Sequence, residues 1–285
     1  MSAAPMVGVG HLTMLDVAPP DWVSLAAETG FDAVGIRAAA IGPTEEPWPM
    51  TAGSMMLAET RNRLDATGVR VLDVELIKLA PDTDPCGFES LFDTGARLGA
   101  SFVNVMADDP DLNRIRDNFA AIAEKALAYN LRPVIEPMAY MRVSSLADAI
   151  FVAHGSGGGV TVDPLHLRRI GATLDQVRAI DPELLLYYQL CDAPLEGPTG
   201  LPRPDSLPRG QSVEGVGDAQ LEARTLRLLP GEGELPLEAI VEAMPDDIPV
   251  SVEAPNLPLR EELGTVEFMR RAREAVENIL RVRAA

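Results

Sequence analysis

Short runs rich in Val and Ile alternate with longer amphipathic runs along the whole of this chain, and that alternation restricts its fold more than any other feature. The strand-like runs are residues 7–10, 31–37, 69–76, 102–106, 133–136, 160–163, 184–190 and 249–253. Helical spacing of apolar residues follows each of them, at 20–29, 54–67, 88–98, 111–129, 145–154, 173–180, 236–243 and 265–282. Eight strands, each followed by a helix, is the arithmetic of an α/β fold of the (β/α)8 TIM-barrel type, and residues 1–285 read as one such domain. The competing doubly wound sheet needs a glycine-rich phosphate turn after its first strand. Gly8-Val9-Gly10-His11 lacks the third glycine of that turn.

Two long connections stand out. Residues 193–230, rich in Pro and Gly, lie between strand seven and its helix, with a short helix expected near 218–225. Residues 41–50, where Trp48 is flanked by prolines, follow strand two. Both fall at the end of a barrel where active sites are built. The glycine-rich 155–159 falls at the other end and reads as a turn.

In such a barrel, side chains at the C-terminal strand ends share one mouth. The second half of the chain repeats a single pattern there. Val134-Ile135 runs into Glu136 and Pro137, and Val160-Thr161-Val162 into Asp163 and Pro164. Residues 184–188 lead to Gln189, followed by Asp192 and Pro194, and Val250-Ser251-Val252 leads to Glu253 and Pro255. An acid before proline is a common turn former. Four such ends on four successive strands point instead to a shared site. Three carboxylates in a small mouth raise one another's pKa, and a divalent cation relieves that conflict. Glu136, Asp163, Gln189 and Glu253 are therefore the expected metal ligands, all through oxygen. His166, three residues after Asp163, is the expected substrate contact or proton carrier, and His11, just past strand one, a second substrate contact. His154, at the far end of a helix, reads as structural.

Composition removes several classes of function. The chain has 43 acidic against 24 basic residues, a net charge of −19, which argues against nucleic acid or an anionic membrane as partner. No apolar stretch approaches the roughly 20 residues of a membrane span. The opening, Met1 to Met6, lacks the pattern of an export signal, so a cytoplasmic protein is expected, compatible with a homo-oligomer. Two cysteines make no disulfide framework, and three histidines are too few for a multi-zinc cluster.

At the strand ends the chain resembles the sugar phosphate isomerase/epimerase group of the xylose-isomerase-like barrel superfamily, over essentially its whole length. The residues that carry the resemblance are Glu136, Asp163-Pro-Leu-His166, Gln189-Leu-Cys-Asp192, Arg227-Leu-Leu-Pro-Gly-Glu-Gly-Glu234 and Glu253. The resemblance implies a metal held by Glu136, Asp163 and Glu253, substrate contact at His166, and Glu136 and Glu253 as acid and base. Gln189 stands where the group carries a metal-binding histidine. Its amide makes the ligand set all-oxygen, which favours Mn2+ or Mg2+ over Zn2+. Arg227 is placed to reach substrate.

The expected chemistry is proton transfer beside a carbonyl through a metal-stabilised enediolate, giving a sugar or sugar-derived ketone isomerase or epimerase. The same intermediate can expel a β-substituent, so a lyase or dehydratase stays open, as does a non-catalytic sugar-binding barrel. The endonuclease branch of the superfamily requires more histidines and a basic face, and both are missing. Lys78, Arg142, Arg168, Arg169 and Arg227 are the candidates to meet a phosphate. The acidic chain favours an unphosphorylated sugar, cyclitol or glycoside-derived ketone.

Overall fold

The eight strand-like runs pair in sequence order and close on themselves. In the computed structural model, which describes residues 5–281, the strands are β1 (Val7–Val9), β2 (Ala33–Arg37), β3 (Arg70–Leu79), β4 (Phe102–Ala107), β5 (Arg132–Ile135), β6 (Gly159–Val162), β7 (Leu185–Leu190) and β8 (Val250–Val252). All neighbours are parallel, and β1 closes the barrel against β8 through Val7–Val250 and Val9–Val252. A parallel strand covered on both faces needs continuous apolar sequence, which is why these runs are so uniformly buried.

The outer layer contains α1 (Pro19–Glu28), α2 (Met55–Thr67), α3 (Glu89–Leu98), α4 (Leu112–Leu127), α5 (Leu146–Ala153), α6 (Pro164–Arg169), α7 (Leu174–Arg178), α8 (Asp218–Thr225), α9 (Leu237–Ala243), α10 (Leu257–Leu263) and α11 (Thr265–Leu280). Their ends follow local chemistry. Ser54 caps α2 by accepting from Leu57 N, and Gly68 stops that helix at φ 75°, a left-handed conformation that costs glycine little. Asp111 caps α4 through the amides of Asn113 and Arg114. Trp22, Phe92, Phe119 and Phe268 are fully buried in the main core, each stabilising the fold by roughly 1.5–3 kcal/mol.

Two helices appear where the sequence suggested loop. α6 forms because Asp163 accepts from His166 N and Pro164 occupies the first helical position, and it carries His166 with it. α10 forms because Asn256 caps it through Leu259 N. The expected start of the chain (residues 1–4) and the expected helix end at residue 282 lie outside the described residues. Among the described residues, no helix is long and apolar enough to cross a membrane.

The barrel interior is polar at mid-height. Asn104 on β4 donates to Asp73 on β3 at 2.8 Å, and Tyr187 on β7 donates its hydroxyl to Asn104. β4 and β7 are not neighbours, so this link crosses the interior.

Candidate active site at the strand ends

Each acidic residue reaches the mouth because the ladder carries it there and then stops. Glu136 donates its amide to Val105 O at 3.0 Å, one position past β5, and Glu253 does the same to Leu190 O at 3.1 Å past β8. The space around Glu253 depends on Gly10, where an added Cβ would sit 3.0 Å from Glu253 Oε1. On β6, the cap that starts α6 turns His166 back over Glu136, with Nε2 and Oε1 3.7 Å apart.

Arg227 ties this group together. It lies between α8 and the Pro-Gly-Glu-Gly-Glu turn and is 1% exposed. Nε is held by Ala223 O at 2.7 Å, while Nη1 donates to Asp163 Oδ2 at 2.7 Å and to Glu253 O at 3.1 Å. Nη2 lies 3.0 Å from Glu253 Oε2 and 3.3 Å from His166 Nε2. The turn ahead of α9 is fixed separately, by Asp192 accepting from Gly231 N and Leu235 N at 3.0 Å each.

A second bank of charge comes from the first half of the barrel. Arg37 Nε donates to Glu75 Oε2 at 3.0 Å, and Nη1 lies 3.4 Å from Glu45 Oε1. Glu75 Oε1 accepts from His11 N at 3.1 Å. Gly35 makes room for it, since a Cβ there would stand 2.9 Å from Glu75 Oε1. The two banks face one cavity of about 50 Å³, whose walls include Arg37, Glu75, Glu136, His166, Arg227 and Glu253. That volume is room for a few waters. Ile41 from the loop after β2 and Gln211 and Arg224 from the loop after β7 also line it.

Burial drives the proton affinities here. It raises Glu136 well above the usual carboxylate range, with Glu253 and Asp163 adding to the effect. Burial lifts Glu253 to about 7; Arg227 opposes the rise, and Glu75 and Asp163 support it. Asp163 is desolvated too, yet Arg227, His166 and the His166 amide bring it below its ordinary value. Burial lowers His166 to about 4, so it is neutral near pH 7.

The residues expected from the sequence separate into groups. Glu136, His166, Arg227 and Glu253 line the cavity, and Asp163 lies just behind, under Arg227. Gln189 is 2% exposed, and its Oε1 has no hydrogen-bond partner. His11 does not line the cavity. Its Nδ1 accepts from Arg37 N at 2.9 Å, its Nε2 meets Val17 O at 2.9 Å, and its ring stacks on Trp22. Both ring nitrogens are taken up by the backbone, which gives this histidine a structural position. Arg37, Glu75, Gln211 and Arg224 were not read from the sequence. Arg37 ends β2 but is not an acid or amide, and Glu75 lies inside β3 with no proline close behind it, so neither carries the strand-end signal that marked Glu136.

The residues fit a divalent cation. One atom each from Glu136, Asp163 and His166 lies within 4.8 Å of the others, and buried Glu136 Oε1 has no hydrogen-bond partner. His166 is thus part of the candidate metal group, where the sequence suggested a substrate contact. Asp163 and Glu253 are at the same time engaged by the guanidinium of Arg227.

A family model described as xylose isomerase-like TIM barrel matches residues 23–278. No curated protein sequence matches the chain. Among solved structures, an IolI protein with a bound zinc atom superposes with a TM-score of 0.70 at 15% identity, over 97% of this chain and 98% of that one. A xylose isomerase domain protein from Alicyclobacillus acidocaldarius gives 0.67 at 20% identity, over 99% and 100%. D-allulose 3-epimerase from Methylomonas sp., in complex with D-allulose, gives 0.61 at 14% identity, over 98% and 97%.

Proposed function

The chain belongs to the xylose isomerase-like TIM barrel family, and from that premise we propose that it is an isomerase or epimerase of a sugar or sugar-derived ketone, working by proton transfer beside a carbonyl. One observation carries the reading. Two buried carboxyl groups, Glu136 and Glu253, face the same cavity, both with proton affinity raised towards the working range of an acid–base catalyst.

Glu253, at about 7, is ionised in a useful fraction near neutrality and takes the proton from the carbon beside the carbonyl. The C–H electron pair moves into the enediolate, and the negative charge that gathers on oxygen faces the Arg227 guanidinium and the neutral His166. Glu136, whose proton affinity burial raises with Glu253 and Asp163 adding to the effect, returns a proton to the opposite face or to the adjacent carbon. Arg227 also keeps Asp163 ionised and Glu253 oriented through its two ion pairs.

Glu136, Asp163 and His166 would hold a divalent ion, with the unpaired Oε1 of Gln189 as a further oxygen donor. When bound, such an ion supplies Lewis-acid stabilisation of the developing oxyanion, and a set dominated by oxygen suits Mn2+ or Mg2+. The relation to D-allulose 3-epimerase supports a small carbohydrate as substrate.

The experiment is exchange of carbon-bound hydrogen in deuterated water. With Mn2+ present, a panel of ketoses and inososes is followed by proton NMR. Loss of one carbon-bound proton signal, abolished in Glu253→Gln, is expected. Product formation without solvent deuterium at the epimerised or isomerised carbon would overturn the proton-transfer reading.

A further inference from the structure

Two donor side chains in the cavity wall are poorly partnered. Arg224 lines the cavity, half-buried, and among the described residues no carboxylate lies within ion-pair distance of it. Its one hydrogen bond in the structure is a long one, from Nη1 to Ser212 O at 3.4 Å. Burial dominates its electrostatics, Tyr140 and Glu45 favour its charge, and of these the carboxylate of Glu45 is already taken up by Arg37. Next to this contact in the chain stands Gln211, 6% exposed, which also lines the cavity and whose amide Nε2 has no hydrogen-bond partner.

That combination is unusual in this molecule. The arginines buried around the site, Arg37, Arg169 and Arg227, each hold at least one carboxylate at 3.0 Å or closer. A guanidinium removed from water without an anion is costly, and burial lowers the proton affinity of Arg224 accordingly. An orphaned buried amide donor beside it adds to that cost. Both costs vanish if an anionic oxygen pair enters the cavity.

We infer that the substrate carries a carboxylate, bound by Arg224 and Gln211 in the cavity wall. This rests on the isomerase reading for Glu136 and Glu253, and it names the substrate class: a polyhydroxylated keto acid of about the size of a sugar. The carboxylate is favoured over a phosphate by charge. One unpaired guanidinium balances a monoanion and presents a planar fork that matches two carboxylate oxygens. A dianion would leave a surplus negative charge facing Glu75 and Glu136 across a small cavity.

The test is a titration that reads binding without turnover. C4–C7 aldonic and keto-aldonic acids are titrated calorimetrically into the full chain against the matching polyols and neutral ketoses, with the corresponding sugar phosphates as a third arm. At least one acid binds ten or more times more tightly than its neutral match. Arg224→Gln and Gln211→Leu each remove most of that preference, and thermal melting checks that both variants fold. Equal binding of acids and neutral partners overturns the inference, as does a preference that survives Arg224→Gln. Binding of phosphates alone, dependent on Arg224, also overturns it. Hydrogen exchange in neutral ketoses with no preference for acids would sink this subsite and leave the isomerase reading intact. A selective acid that shows no exchange would do the reverse.

Discussion

Arg227 Nη1 donates to Asp163 Oδ2 at 2.7 Å, and neither side chain is more than 1% exposed. The same guanidinium lies 3.0 Å from Glu253. A built-in cation therefore occupies part of the oxygen surface that a divalent ion would also use, and the two positive charges share Asp163 and Glu253 between them.

Removing this guanidinium leaves two buried carboxylates uncompensated. Arg227→Met is expected to lose about 3–5 kcal/mol of stability in a chelating buffer, as breaking a buried ion pair does. Mn2+ then stabilises the variant more than it stabilises the wild type, because the ion becomes the main counter-charge left to Asp163. Urea unfolding with and without Mn2+ measures both effects. Equal stability of variant and wild type without metal would show that Arg227 is not carrying this charge.

Glu253 sets the direction of a pH effect in the metal-free protein. Burial, with Glu75 and Asp163 adding to it and Arg227 opposing, raises its pKa from 4.5 to about 7. The folded state thus binds a proton that the unfolded state releases. The resulting stability is present in full below pH 4.5 and is lost as the pH rises through about 7. Glu253→Gln cannot ionise, so relative to the wild type it becomes more stable between pH 5 and pH 8, by a few degrees in Tm. Melting curves across that range in chelator check the sign; a difference that shrinks with rising pH contradicts it.

The barrel and half of the site could be read from the chain because both are written locally. An apolar run, an acid and a proline tell a strand, its end and the direction of its last side chain, and Glu136, Asp163 and Glu253 stand at those ends. Arg37 was missed because it is not an acid, and Glu75 because no proline stands close behind it. β3 also continues past Glu75 to Leu79, with a register shift between Val74 and Ile77, so the acid sits inside the strand. The partnership of Arg227 with Asp163 spans 64 positions and depends on how the long loop after β7 returns, held by the antiparallel bridge of Asp192 and Leu228. His11 stands where the rule places a mouth residue, but the turn of 3-10 helix at His11–Met14 folds its ring back onto the Val17 carbonyl.

Gln189 provides a separable test of the metal donors. Its buried Oε1 has no hydrogen bond, so replacing it with an apolar side chain removes an unsatisfied acceptor. Gln189→Leu is expected to keep its metal-free stability to within about 1 kcal/mol. Its Mn2+ affinity, read by calorimetry, falls several-fold if the amide oxygen ligates. Unchanged affinity would remove Gln189 from the ligand set and leave Glu136, Asp163 and His166 to hold the ion.

The cavity holds only a few waters, so a sugar-sized substrate needs the loops above it to move. Those loops meet where residues 44–48 face residues 209–210. Arg209 stacks over the Trp48 ring at 3.8 Å, its Nη2 donates to Glu46 O at 2.8 Å, and Glu46 N donates back to Arg209 O at 2.8 Å. This clasp links the loop after β2 to the loop after β7. A stacked, partly exposed cation contributes on the order of 0.5–2 kcal/mol, equivalent to roughly a twofold to thirtyfold bias towards the closed arrangement. Arg209→Ala is therefore expected to raise KM within that range, to speed product release and to leave Tm nearly unchanged. Steady-state kinetics beside a melting curve separates the outcomes: a large drop in Tm with KM unaltered would make the contact a structural brace, and the loops would have to open elsewhere.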